Sequence, residues 1–221
     1  MKHPSWLIDG QIKFYEEPTE THEKILNTVV YNIRQLPLDD FDGSGSLQLR
    51  FSTNIVGEPD QSITPNRKPR QTADAHFLNP NRAPYPSLVI EVGKIQSLES
   101  LHRRALLYLG VETDISIVVA FLYDRDVSVA HPSIVISFGS APLDQSTNDI
   151  FQRWNPQQVI VGNLDDHSPT QCTSANIPTY QIHLPSAQLY HGDPNQPIPL
   201  PPNISLDLFK IIRILNRIPD W

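Results

Sequence analysis

The apolar positions of this 221-residue chain change period several times, and each change predicts a different element. From Thr19 to Leu36, Ile25, Val29, Ile33 and Leu36 recur at helical spacing, Thr19 or Thr21 can cap the first turn, and Pro37 ends the run. Leu47 to Val56 alternates well enough to predict a strand after the Asp42 to Ser46 turn. The segments Ala73 to Leu78 and Pro86 to Lys94 are expected as two further strands, with Gly57 to Thr72 a polar connection before the first and Asn79 to Pro86 a turn-rich link between them. Ser97 can cap a helix whose stripe is Leu98, Leu101, Ala105 and Tyr108, and which Gly110 stops. Asp114 to Tyr123 reads as a long buried strand, followed by strands at Ser133 to Phe138, Gln157 to Val161 and Thr179 to Leu184. Asp193 to Pro202 is too rich in proline for helix or central strand. Ile204 to Leu215, with Leu208, Ile211, Ile212 and Leu215 on one face, predicts a closing helix. Strands and helices mixed in this order predict an α/β fold with a mixed central sheet flanked by helices.

Composition changes this picture little. The length suits one domain, residues 1–221, with a core over about 15–140 and terminal strands and a helix over 141–216. A single cysteine, Cys172, excludes an intrachain disulfide, and no stretch has the length of a signal peptide's apolar run or a membrane span, so an intracellular protein of cytoplasm or nucleus, without membrane contact, is expected.

Charge matters more. The formal net charge of −7 argues mildly against nucleic-acid binding, yet its distribution does not. Between Arg67 and Arg104, seven bases face three acids, a net +4, while the remainder carries ten bases and twenty-one acids. Positive charge therefore surrounds the two acids with the strongest claim to chemistry, unless these bases merely solvate loops and a helix.

Those acids are Asp74 and Glu91. A carboxylate interrupting an otherwise apolar strand is costly to bury unless paired, hydrogen-bonded or bound to a cation. Two carboxylates on neighbouring strands predict a divalent ion, Mg²⁺ or Mn²⁺, and through it phosphodiester hydrolysis. The competing reading is an ion pair between Glu91 and a buried base such as Arg104. His76 shares the expected face of Asp74, but a histidine there is more often packed or solvated than a ligand. The eight histidines show no zinc spacing, and no nucleophile elbow or phosphate-binding glycine loop is present.

Asp74, Glu91 and Lys94 resemble the acid, acid and lysine of the PD-(D/E)XK nuclease superfamily. Pro86 to Gly93, the Ser97 to Tyr108 helix, Gly110-Val111 and the hydrophobic strand after them are similar to the Uma2-like restriction endonuclease family, as is the early helix with His22 and Glu23. The likeness covers about residues 15–140. It implies a restriction-endonuclease-like fold, with Asp74 and Glu91 as metal ligands, the Val92 carbonyl a third and Glu23 a weaker fourth. It implies Mg²⁺ or Mn²⁺ as cofactor and DNA as the expected nucleic-acid partner, and it allows a homodimer. The alternative is a catalytically silent binding or interaction module on the same fold.

The chain departs from the E-x-K pattern. Gly93 stands where the lysine is expected and Lys94 follows it, so only a bulge would turn Lys94 into the site. Arg104, four residues before Tyr108, matches a base which that family often places on this helix. As a guanidinium it can hold phosphate but cannot act as a general base.

Overall fold

The computed structural model describes residues 5–8, 11–14, 19–34, 41–45, 47–51, 53–94, 97–110, 113–124, 133–139, 156–164, 168–196 and 199–215. The chain enters through strands β1 (Ser5–Ile8) and β2 (Gln11–Phe14), then helix α1 (Glu20–Arg34), then β3 (Phe41–Ser44), β4 (Leu49–Arg50) and β5 (Ile55–Gly57). β6 (Gln61–Pro65) and β7 (Leu88–Gly93) lead into helix α2 (Leu98–Tyr108) and β8 (Ile117–Asp124). The second half holds β9 (Ser133–Gly139), β10 (Gln157–Val161), β11 (Gln181–Pro185), the single helical turn α3 (Ser186–Leu189), β12 (Asn203–Asp207) and helix α4 (Phe209–Leu215).

The central sheet has the order β10-β9-β8-β7-β6-β3. Only β7 and β8 run parallel in it, joined through α2, and the other pairs are antiparallel. This is the mixed α/β fold, a mixed sheet with helices packed on it, that the hydrophobic pattern predicts. A smaller sheet, β2-β1-β5-β4, and the β11-β12 hairpin complete the described residues.

β7 is buried at all six positions, and its alternation divides the core. Leu88, Ile90 and Val92 join Ile25, Val29 and Ile33 of α1 on one face, together with Ile182, Leu206 and Ile211 from the C-terminal elements. Val89 faces the other way, among Ala105 and Tyr108 of α2, Leu49, Phe51 and Tyr85. With period two, Glu91 and Gly93 share the face of Val89, the one that α2 covers. Ser97 caps α2 as expected, its hydroxyl accepting the Ser100 N–H at 3.1 Å. The expected end of α1 at Leu36 and Pro37 lies outside the described residues.

Four expectations fail, each for a local reason. Residues 73–78 form no strand: Ala73 and Asp74 lie in an exposed turn. The strand beside β7 is β6, inside the stretch read as a polar connection. Its buried residues are Ser62, Ile63 and Pro65, so polar side chains and a proline hide its apolar signal. Leu47 to Val56 is a hairpin and not one strand, since Leu49 pairs with Gly57 and Arg50 with Val56. Finally, the closing helix begins only at Phe209. Asn203 to Asp207 alternates exposed and buried as β12, with Ile204 and Leu206 inward, before Asp207 accepts the Phe209 N–H at 3.0 Å to start the helix.

Candidate active site at the C-terminal end of strand 7

Glu91 is 1% exposed on β7 and Arg104 is 8% exposed on α2. The Arg104 Nη2 lies 2.8 Å from Glu91 Oε2, and the Tyr108 hydroxyl donates to Glu91 Oε1. Four residues apart on one helix, Arg104 and Tyr108 stand one above the other and meet the same carboxylate. The Tyr108 ring is fixed edge-on against Phe51, with centroids 5.1 Å apart.

The second acid of the cluster is Asp60. It immediately precedes β6, whose antiparallel register pairs Gln61 with Ile90, so one further step sets Asp60 opposite Glu91. The Val92 N–H donates to Asp60 Oδ2 at 2.7 Å, tying the loop before β6 to the end of β7. On the other side, His22 Nε2 on α1 lies 3.3 Å from Asp60 Oδ1, and His22 Nδ1 lies 3.5 Å from Glu23 Oε1. His22 reaches this position from a braced first turn. Thr19 Oγ1 accepts the His22 N–H at 3.2 Å and sits 2.6 Å from the Tyr123 hydroxyl on β8.

Electrostatics follows from burial and proximity. Loss of water pushes the Glu91 carboxyl up to about 8. Arg104 pulls against this rise, the Asp60 charge adds to it, and Tyr108 and His22 oppose it. The Tyr108 hydroxyl is held well above its ordinary value of 10, by burial first and then by the carboxylate it bonds. For His22, burial pulls the imidazole down, but the hydrogen bond and charge of Asp60, with Glu23 behind them, outweigh it and leave the ring above 6.5.

The sequence-predicted residues divide accordingly. Glu91, Val92 and Arg104 are brought together, with Glu23 at the edge through His22. Asp74 is not among the groups that meet Glu91. It sits exposed in its turn, and a hydrogen bond with Thr72 holds its carboxylate below the ordinary range. Asp60 holds the place across from Glu91 that was expected of Asp74. The missed signal was Asp60 itself, an acid directly before Gln61 to Pro65. Lys94 is exposed beyond the end of β7, and β7 pairs residue for residue with β8 from Leu88–Ile117 to Gly93–Leu122, so no bulge within the strand re-aims the lysine.

The donor chemistry suits a hard divalent cation, because Asp60, Glu91 and the Val92 carbonyl offer only oxygen. Among the described residues no group of three or more His, Cys, Asp or Glu is arranged to hold a metal. Asp60 and Glu91 are two carboxylates, the number that Mg²⁺ commonly takes beside waters and substrate phosphates. Both are also bound internally, Glu91 by Arg104 and Tyr108, Asp60 by His22 and the Val92 N–H.

No family model matches this chain, and no curated protein matches it. Among solved structures, the crystal structure of a candidate nuclease belonging to DUF820 from Anabaena variabilis is similar, with 18% identity and a TM-score of 0.45 over 71% of this chain and 75% of that one.

Proposed function

We propose that the cluster of Asp60, Glu91 and Arg104 is the site of a divalent-metal-dependent nuclease of the PD-(D/E)XK type, cleaving phosphodiester bonds in DNA. The observation that carries this reading is the meeting of Asp60 with Glu91 across β6 and β7, tied by the Val92 N–H, with a base from the following helix on the same carboxylate. Two acids brought together at the edge of β6 and on β7 raise the cost of burying each other, a cost that a bound cation would offset.

In this reading Asp60, Glu91 and the Val92 carbonyl hold Mg²⁺ or Mn²⁺. The ion supplies a water of lowered pKa and neutralises charge developing on the phosphate. With an ion bound, Arg104, which pairs with Glu91 at 2.8 Å, would supply a fixed positive charge able to hold the scissile phosphate. Tyr108 keeps the carboxyl oriented. His22, beside Asp60 and with its side chain only 11% exposed, is placed to take a proton that Arg104 cannot.

A second reading is favoured by the same cluster: both oxygens of Glu91 are satisfied internally and Gly93 leaves the pattern's lysine position empty of a base. A catalytically silent binding module would have this balance. Incubating the full chain with supercoiled plasmid and with RNA, in Mg²⁺, Mn²⁺ or chelator, separates the two. Metal-dependent nicking lost in Asp60→Asn and Glu91→Gln supports the nuclease. No cleavage of either polymer with either ion selects the silent module.

A further inference from the structure

At the opposite end of the central sheet from Glu91 lies a separate cleft of about 400 Å³. It forms where β6 has ended and β7 and β8 have yet to begin, and its lining includes Lys68, Arg70, His76, Phe77, Tyr85 and Asp114. That volume is in the range of small-molecule sites, and its walls combine aromatic surface with charged and polar groups.

Most of those polar groups are already engaged. The Tyr85 hydroxyl donates to the Arg50 carbonyl and Arg70 donates to the Asn81 carbonyl. The amide of Gln71, also on the cleft, spans the Phe77 carbonyl at 3.0 Å and the Asn79 N–H at 2.7 Å. Lys68 differs. It is 9% exposed, and its Nζ is buried with no hydrogen-bond partner among the described residues. A buried ammonium with no hydrogen-bond partner is expensive, and among the described residues only the charge of Asp114 offsets it. Its stem lies over Gly192, where an added Cβ would come within 3.0 Å of Lys68 Cε at a backbone φ of +77°. The chain thus keeps a glycine in a conformation that glycine tolerates best, at the point where the lysine passes.

We propose that this cleft is a binding site for a small organic anion, a carboxylate or phosphate monoester with a flat apolar body, whose oxygens complete the hydrogen bonds of Lys68. Lys68 and Arg70 against Asp114 leave one net positive charge, which one negative group neutralises. Phe77 and Tyr85 offer ring surface to the body of the ligand, and the committed hydroxyl of Tyr85 leaves its ring as the contact. Burial lowers the Lys68 ammonium to about 8, with Asp114 resisting, and an anion beside it would push it back up.

Calorimetric titration of the full chain with inorganic phosphate and with benzoate tests this and separates the two sources of the anionic oxygens. Saturable binding of at least one probe is expected, weakened tenfold or more in Lys68→Met and tightened severalfold in Asp114→Asn. Asp114 is exposed, so that variant poses little risk to the fold. No saturable binding of either probe, equal affinity in Lys68→Met, or an unchanged affinity in Asp114→Asn would each overturn the proposal.

Discussion

The bond between Glu91 and Arg104 makes each partner depend on the other. Removing one partner of a buried pair leaves the other charge stranded, at a cost of about 3–5 kcal/mol, whereas replacing both with apolar groups is often nearly neutral. Glu91→Ala should therefore destabilise strongly, and Glu91→Leu with Arg104→Met should recover most of the loss, as read by urea unfolding. A single variant within about 1 kcal/mol of wild type would mean that the pair is hydrated and not buried. Lys68 makes the complementary prediction in pH. Its folded ammonium titrates at about 8 against 10.5 when exposed, so the unfolded chain holds more proton between those values. Stability accordingly climbs as pH rises from about 8 to 10.5, by no more than about 3 kcal/mol, and is lost again on acidification through that window. Lys68→Met should be more stable than wild type at pH 7, with the difference shrinking as pH rises from about 8 to 10.5. A constant difference across that range would show that Lys68 titrates as an exposed lysine.

Elements decide which side chains can meet, and the sequence revealed them unevenly. β7 and α2 were legible because both patterns are long and capped, with six buried positions in one and Ser97 at the head of the other. Glu91 and Arg104 therefore stood out as an acid and a base on facing elements. β6 was not legible, since Gln61, Ser62, Thr64 and Pro65 give it the composition of a loop, and sheet position, not propensity, makes it a strand. Missing β6 hid Asp60 and left Asp74 as the nearest acid upstream. β12 was lost by the opposite error, because Leu206 and Leu208 are compatible with both a period of two and a helical stripe. Two changes test the elements that carry the site. Ser97→Ala should cost about 1 kcal/mol and loosen the helix that presents Arg104 and Tyr108. Gly93→Lys places an ammonium two residues from Glu91 on the same strand face, and should raise plasmid nicking in Mn²⁺ if the missing base limits the rate. A folded Gly93→Lys variant that cuts no faster would assign the proton-transfer role elsewhere, to His22 first.

The whole molecule sets the acid cluster and the anion cleft at opposite ends of one sheet, and its surface charge must choose between them. The basic segment from Arg67 to Arg104 is less available than its composition implies. Arg67 lies 3.5 Å from the buried carboxylate of Asp193, Lys68 is buried, and Arg103 pairs with Glu99 at 2.7 Å on the helix surface. Lys94, Arg70 and Arg82 remain as exposed bases at the two ends, Lys94 just past Glu91 and the two arginines before β7 begins. Under the proposed function, a nucleic acid cleaved at Glu91 would run past Lys94, while the acidic remainder of the chain would repel it. Lys94→Glu should therefore raise KM for cleavage with little change in kcat, and reduce the salt slope of binding by about one unit, while Arg82→Glu should leave both nearly unchanged. Fluorescence anisotropy with a labelled duplex between low and physiological salt reads both variants directly. If Arg82→Glu weakens binding as much as Lys94→Glu, the duplex spans the sheet from end to end. If only Arg82→Glu weakens it, nucleic acid sits at the cleft end, and the acid cluster at Glu91 is not where it is cut.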